Sequence, residues 1–154
     1  MDTDSLHHQG NSFFRSGIDR TMLIKYNLNH QTVSYYWEPI SCYQRFQLVG
    51  EFYYQSAFKR LVENHGDRGA YFECLATLTP ENTNAFDNQA VRIDIKGMTV
   101  GYFNRNDARR FRIRLNTKKL TGQITSCNAV IEGGRLLNDG QRTNYSVSLA
   151  INQL

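Results

Sequence analysis

Hydrophobic and polar positions alternate most clearly across residues 80–103, PENTNAFDNQAVRIDIKGMTVGYF. Val91, Ile93 and Ile95 alternate with Arg92, Asp94 and Lys96, the period of a half-buried strand. Lys96-Gly97 predicts a tight turn, because Gly accepts a positive φ. Met98, Val100 and Tyr102 then carry the pattern back. Ahead of this hairpin lies a polar loop of Asn82, Asn84, Asp87, Asn88 and Gln89, with Phe86 in its midst. Before the loop, residues 71–79 predict a strand with Phe72, Cys74, Ala76 and Leu78 on one face. Pro80 is predicted to end that strand.

Two stretches carry the helical period instead. In residues 55–64, Phe58, Leu61 and Val62 fall on one face and Lys59, Arg60 and Glu63 on the other. Ser56 is the predicted N-cap, Gly66 the predicted stop, and His65 a structural residue at the helix end. In residues 105–115, Ala108, Phe111 and Leu115 form the apolar stripe, with Asn104 or Asn106 as cap. Residues 46–50 predict a short strand and 123–131 a longer one, ended by Gly133-Gly134. In 144–152, Tyr145, Val147, Leu149 and Ile151 alternate with polar or small residues. Residues 22–26 and 32–37 read as a hairpin with turn material between them.

The expected class is mainly β (α+β). The pattern predicts a small OB-like antiparallel barrel of about six strands with two helices, preceded by an N-terminal hairpin. The expected division is a flexible polar lead (1–17), a hairpin extension (18–45) and the barrel domain (46–154). Tyr35, Tyr36 and Trp37 either pack the hairpin on the domain or face a partner. Packing is the preferred reading.

Composition narrows the chemistry. The 154 residues suit one domain, and a net charge of +4 permits a nucleic-acid partner without demanding one. Tyr and Phe supply nine residues each, more rings than a core this size needs, so some are free to stack on a ligand. Three scattered cysteines, Cys42, Cys74 and Cys127, form no C-x-x-C and fit a reducing cytoplasm. No secretory pattern and no long apolar run are present, so no membrane association is expected. Nucleophile-elbow, phosphate-loop, dinucleotide and zinc-protease motifs are missing. The four histidines lie outside the patterned core, and the acids are scattered. No enzyme activity, metal or cofactor is expected.

A binding surface is better supported. Residues 105–119 hold seven basic residues, Arg105 and Arg109 among them, directly after Tyr102 and Phe103 and one hairpin from Phe86 and Asp87. Cations beside rings suit single-stranded nucleic acid, where charges meet phosphates and rings stack on bases.

Four pieces also occur together in order. They are VGE-x-YY (49–54), PEN-x-NAFD-x-x-AV (80–91), VGYFNR (100–105) with Ala108, and A-x-IEGG (129–134). In these the chain resembles the HIRAN domain family, in particular its stand-alone bacterial or phage-type members, over residues 46–151. The resemblance implies an OB-like barrel that binds single-stranded DNA at a free 3′ end. It implies that Tyr53 stacks near that end, that Asp87 accepts a hydrogen bond from the 3′-hydroxyl, that Asn84 opens the loop motif and that Arg105 meets phosphate. Phe86 stands where DNA-binding members commonly have Tyr, which keeps stacking but removes a hydroxyl. Phe52 stands where eukaryotic members carry a basic residue. The alternative reading is a protein-interaction subunit of a phage or bacterial repair or defence complex, with the barrel as scaffold and the aromatic hairpin as contact.

Overall fold

A computed structural model of the chain describes residues 32–154. The predicted lead (1–17), the hairpin arm 22–26 and His7, His8 and His30 lie outside the described residues. In chain order the elements are β1 (Tyr35–Tyr36), β2 (Leu48–Val49), a 3₁₀ turn (Glu51–Tyr54), α1 (Gln55–Leu61), β3 (Ala70–Glu81), β4 (Ala90–Ile95), β5 (Met98–Phe103), α2 (Arg105–Thr117), β6 (Thr125–Gly133) and β7 (Ser146–Leu149).

The class is mainly β with two helices, as the periodicities predict. The sheet is an open, mixed one of seven strands, ordered β1-β6-β3-β4-β5-β2, with β7 also on β6. The mixed pairing corrects the expected all-antiparallel arrangement, and seven strands stand where about six were expected. The difference comes from β1, which lies parallel to the start of β6, with Tyr35 opposite Thr125 and Tyr36 opposite Ser126. Every other strand pairing is antiparallel. Short footholds extend the sheet at two places. Gln44 bridges to Leu149 of β7, and Leu48–Val49 then pair with Phe103 and Tyr102 of β5.

The core forms where apolar faces meet. Val91, Ile93, Ile95, Val100, Ala76 and Leu78 are fully buried, and the Ala108–Phe111–Leu115 stripe of α2 packs on them. Phe111 touches Trp37 and Phe103 at ring-centroid distances of 5.7 and 5.4 Å. The Lys96-Gly97 turn forms as predicted, with φ of 48° and 77°. Asn104 caps α2 by accepting the Asp107 N–H at 2.9 Å.

Three predicted boundaries move. Pro80 lies inside β3, opposite Val91, rather than ending it. The pairing with β6 stops at Leu78, so Pro80 sits where one side of the strand is open and its missing N–H costs no ladder bond. Helix α1 ends at Leu61, and Asn64 takes a left-handed φ of 64° before Gly66 is reached. Ser56 is not its cap, because the helix continues directly from the 3₁₀ turn. Tyr36 and Trp37 are buried. The Tyr36 hydroxyl donates to Asn128 Oδ1 at 2.7 Å, and Trp37 Nε1 donates to Thr125 Oγ1 at 2.8 Å. Packing is therefore what these two rings do. His65 is structural, with its Nε2 2.5 Å from the Tyr145 hydroxyl.

Candidate nucleic-acid interface

Register places the predicted site residues. Strands β3, β4, β5 and β2 form a row in which Thr79 faces Arg92, Arg92 faces Tyr102, and Tyr102 faces Val49. The loop 82–89 joins β3 to β4, α2 begins two residues after Phe103, and the 3₁₀ turn follows Val49. Three irregular segments thus rise around one four-strand row.

The loop is built from its own polar side chains. Asn84 Oδ1 accepts the Phe86 N–H at 2.9 Å and the Asp87 N–H at 3.1 Å. Asp87 Oδ1 accepts the Gln89 N–H at 3.0 Å, and the Asp87 carbonyl accepts the Ala90 N–H. Short polar side chains that bond backbone two or three residues on are the natural makers of such turns. Phe86 is carried at the apex with 90 % of its surface exposed.

Glu81 holds this loop to the sheet. Its carboxylate accepts from Asn84 Nδ2 at 2.9 Å and from the Arg92 guanidinium, and the Tyr102 phenol lies near enough to feel its charge. Arg92 also donates through Nε to Asp94 Oδ2 at 2.8 Å, and Thr99 donates to Asp94 Oδ1 at the same distance. Asp94 is buried, so these bonds hold a charge that would be costly alone. Burial would lower the Arg92 pKa, but Asp94 and Glu81 overcome that and hold it up. Burial, aided by the Glu81 and Tyr54 charges, pushes the Tyr102 phenol up to about 12. Tyr102 is half-buried between β4 and β2.

Asp87 does double duty. Beyond bracing Gln89, its Oδ2 lies 3.7 Å from Arg105 Nε, outside direct hydrogen-bond range. Its side chain is 15 % exposed, while that of Arg105 is 73 % exposed. Tyr53 and Phe52 protrude from the 3₁₀ turn, edge to face at 5.8 Å, and both are well exposed. Val49, Phe52, Tyr53 and Phe86 make up four of the seven large hydrophobic residues exposed among the described residues.

The arginines of α2 divide by task. Arg112 is spent on the loop, donating to the Gln89 carbonyl at 2.7 Å, to Asn82 Oδ1 at 2.8 Å and to the Ala90 carbonyl at 3.0 Å. Arg114 holds the carbonyls of Asn152 and Gln153, and Arg110 that of Leu154. Arg109 donates only to the Arg105 carbonyl one turn back, at 3.2 Å. Arg105, Arg109 and Arg110 are the most exposed of the α2 arginines.

The structure brings Asn84, Phe86, Asp87 and Arg105 together, adds Arg109 one turn on, and ties Tyr102 to the same network through Glu81. Tyr53 lies on the 3₁₀ turn that follows β2, the strand paired to Tyr102. Sequence reasoning missed Glu81, Arg92 and Arg112. Arg92 and Asp94 sit in the polar half of a strand alternation, which reads as solvent-facing. Arg112 is indistinguishable from its neighbours in a basic run. Among the described residues, no group of three or more His, Cys, Asp or Glu side chains could hold a metal ion. No helix among them is long and apolar enough to cross a membrane. The chain matches no family model, no curated protein and no solved structure.

Proposed function

We propose that this protein is a non-catalytic, HIRAN-like module that captures free 3′-hydroxyl ends of single-stranded DNA. One observation carries the reading: a loop-locked carboxylate, Asp87, with one oxygen facing an exposed arginine at 3.7 Å, beside a fully projecting ring, Phe86. Such a carboxylate accepts a hydrogen bond from a hydroxyl and repels a terminal phosphate, which makes it a filter for unblocked ends. Arg105 would serve the phosphodiester one step inward. Phe86, Tyr53 and Phe52 would stack on bases at about 1–3 kcal/mol each.

The reading includes a barrel-like sheet. The segment 44–49, footed on β7 and on β5, supports it, since those strands lie towards opposite edges of the sheet order. The free thiols of Cys42, Cys74 and Cys127 favour a reducing cytoplasm as its location. A protein-interaction role is favoured by one observation, the adjoining exposed side chains of Val49, Phe52 and Tyr53. It would use that patch and not Tyr36 or Trp37, which are buried.

The test compares a short oligonucleotide ending in a 3′-hydroxyl with its 3′-phosphate twin. The wild-type protein should prefer the hydroxyl, and Asp87→Asn should erase most of that preference. Equal binding of the twins by wild-type protein would end the end-capture reading.

A further inference from the structure

We propose that the loop and α2 together form a track for the strand leading away from the captured end, a reading that rests on the 3′-end function above. Arg105, Arg109, Ile113 and Asn116 are spaced four, four and three apart, so they share one helix face. Arg105 starts that face beside Asp87. From Arg105 to Asn116 the helix rises about 16 Å. A groove of about 650 Å³ runs along the same face, lined by Asn82, Asn88, Gln89, Arg109, Arg112, Ile113 and Asn116.

The groove is furnished for a polynucleotide. Arg112 floors it rigidly, since its guanidinium is consumed by loop oxygens. By holding Asn82 Oδ1, Arg112 leaves the Asn82 NH₂ group as a donor on the groove wall. Asn88, Gln89 and Asn116 add amides that can donate or accept, which suits base edges of any identity. Ile113 is 66 % exposed in mid-helix, an apolar step on which a base or sugar can rest. Arg109 supplies the cation for a phosphate one helical turn beyond Arg105. The length of the face bounds the occupant at roughly five nucleotides at the stacked rise of about 3.4 Å.

The experiment measures binding of oligothymidines from about two to about ten nucleotides, each with a 3′-hydroxyl and with a 3′-phosphate, by fluorescence anisotropy. Affinity of the hydroxyl series should climb to about five nucleotides and then level off. Arg109→Ala should flatten the climb and make the plot of log affinity against log salt shallower by about 0.7. Ile113→Ser should weaken the longer oligonucleotides about three- to tenfold and spare the dinucleotide, in line with the loss of one or two buried methylene groups. Both positions are exposed, so neither change endangers the fold. Hydroxyl preference with no dependence on length would overturn the track and leave end capture standing. Length dependence without hydroxyl preference would instead overturn end capture, and with it a track that begins at Asp87.

Discussion

Replacing Glu81 with Gln isolates the tie between loop and sheet. Two donors converge on this carboxylate, Arg92 and Asn84 Nδ2, with the Tyr102 phenol close by. An amide offers one oxygen, and its NH₂ then confronts at least one of those donors. The side chains of Arg92 and Glu81 are 24 % and 18 % exposed, so water compensates only in part. A charged hydrogen bond of this kind is worth about 1.5–3 kcal/mol. Arg92 keeps Asp94, so the expected loss is about 2–3 kcal/mol, or a fall in Tm of about 5–10 °C for a chain of this size. The loop should suffer beyond that average. Without Glu81, Asn84 is free to turn, and the Phe86 and Asp87 amides lose the acceptor they share. Hydrogen exchange should therefore accelerate at those two amides more than at Ile93 or Phe111.

Tyr102 offers a second readout of the same variant. Its pKa lies above the ordinary phenol value of 10.0, at about 12, mainly through burial and further through the Glu81 charge. The folded state thus keeps a proton that the unfolded state sheds. The stabilisation is full below about pH 10 and is lost as pH rises towards 12. In Glu81→Gln the phenol should titrate lower and that loss should start earlier. Exchange at Phe86 and Asp87 that matches wild type, with an unmoved phenol titration, would refute Glu81 as the tie.

Phe86→Ala and Tyr53→Ala should each weaken oligonucleotide binding by about 1–3 kcal/mol while leaving Tm unchanged, because both rings are exposed; a shifted Tm would show that they pack instead. Arg112→Lys should raise protease sensitivity within the loop 82–89 and cost about 1–3 kcal/mol in urea unfolding, since an ammonium cannot span three acceptors held by a planar fork. Native-state alkylation near neutral pH should label Cys42 alone among the three thiols. Burial pushes the Cys74 thiol up to about 12 and raises Cys127 as well; rapid labelling of either would contradict their placement.

Alternation made the core legible, because Val91, Ile93, Ile95 and Val100 occupy one sheet face and nothing else could cover them. The helix stripe of Ala108, Phe111 and Leu115 was legible for the same reason. The loop's polar residues pointed to a self-braced turn, which Asn84 and Asp87 form. Pairings between distant residues were not legible. Nothing local distinguishes Arg112, which grips the loop, from Arg109, which stands open one turn before it. Nor does a two-residue strand such as β1 reveal that it will lie parallel to β6, since that choice is made by Trp37 finding Phe111 and Thr125. Sequence shows which groups are polar, and only the register shows which polar groups meet.

The double footing of residues 44–49 has a consequence for how the molecule comes apart. Gln44 exchanges both backbone hydrogen bonds with Leu149, at 2.7 and 2.9 Å, and four residues later Leu48 is paired to Phe103. Sheet margins ordinarily fray one at a time, each at its own low cost. Here a single short span is stitched to two margins, so peeling either one tugs on the other. The rims of this sheet should open together or not at all.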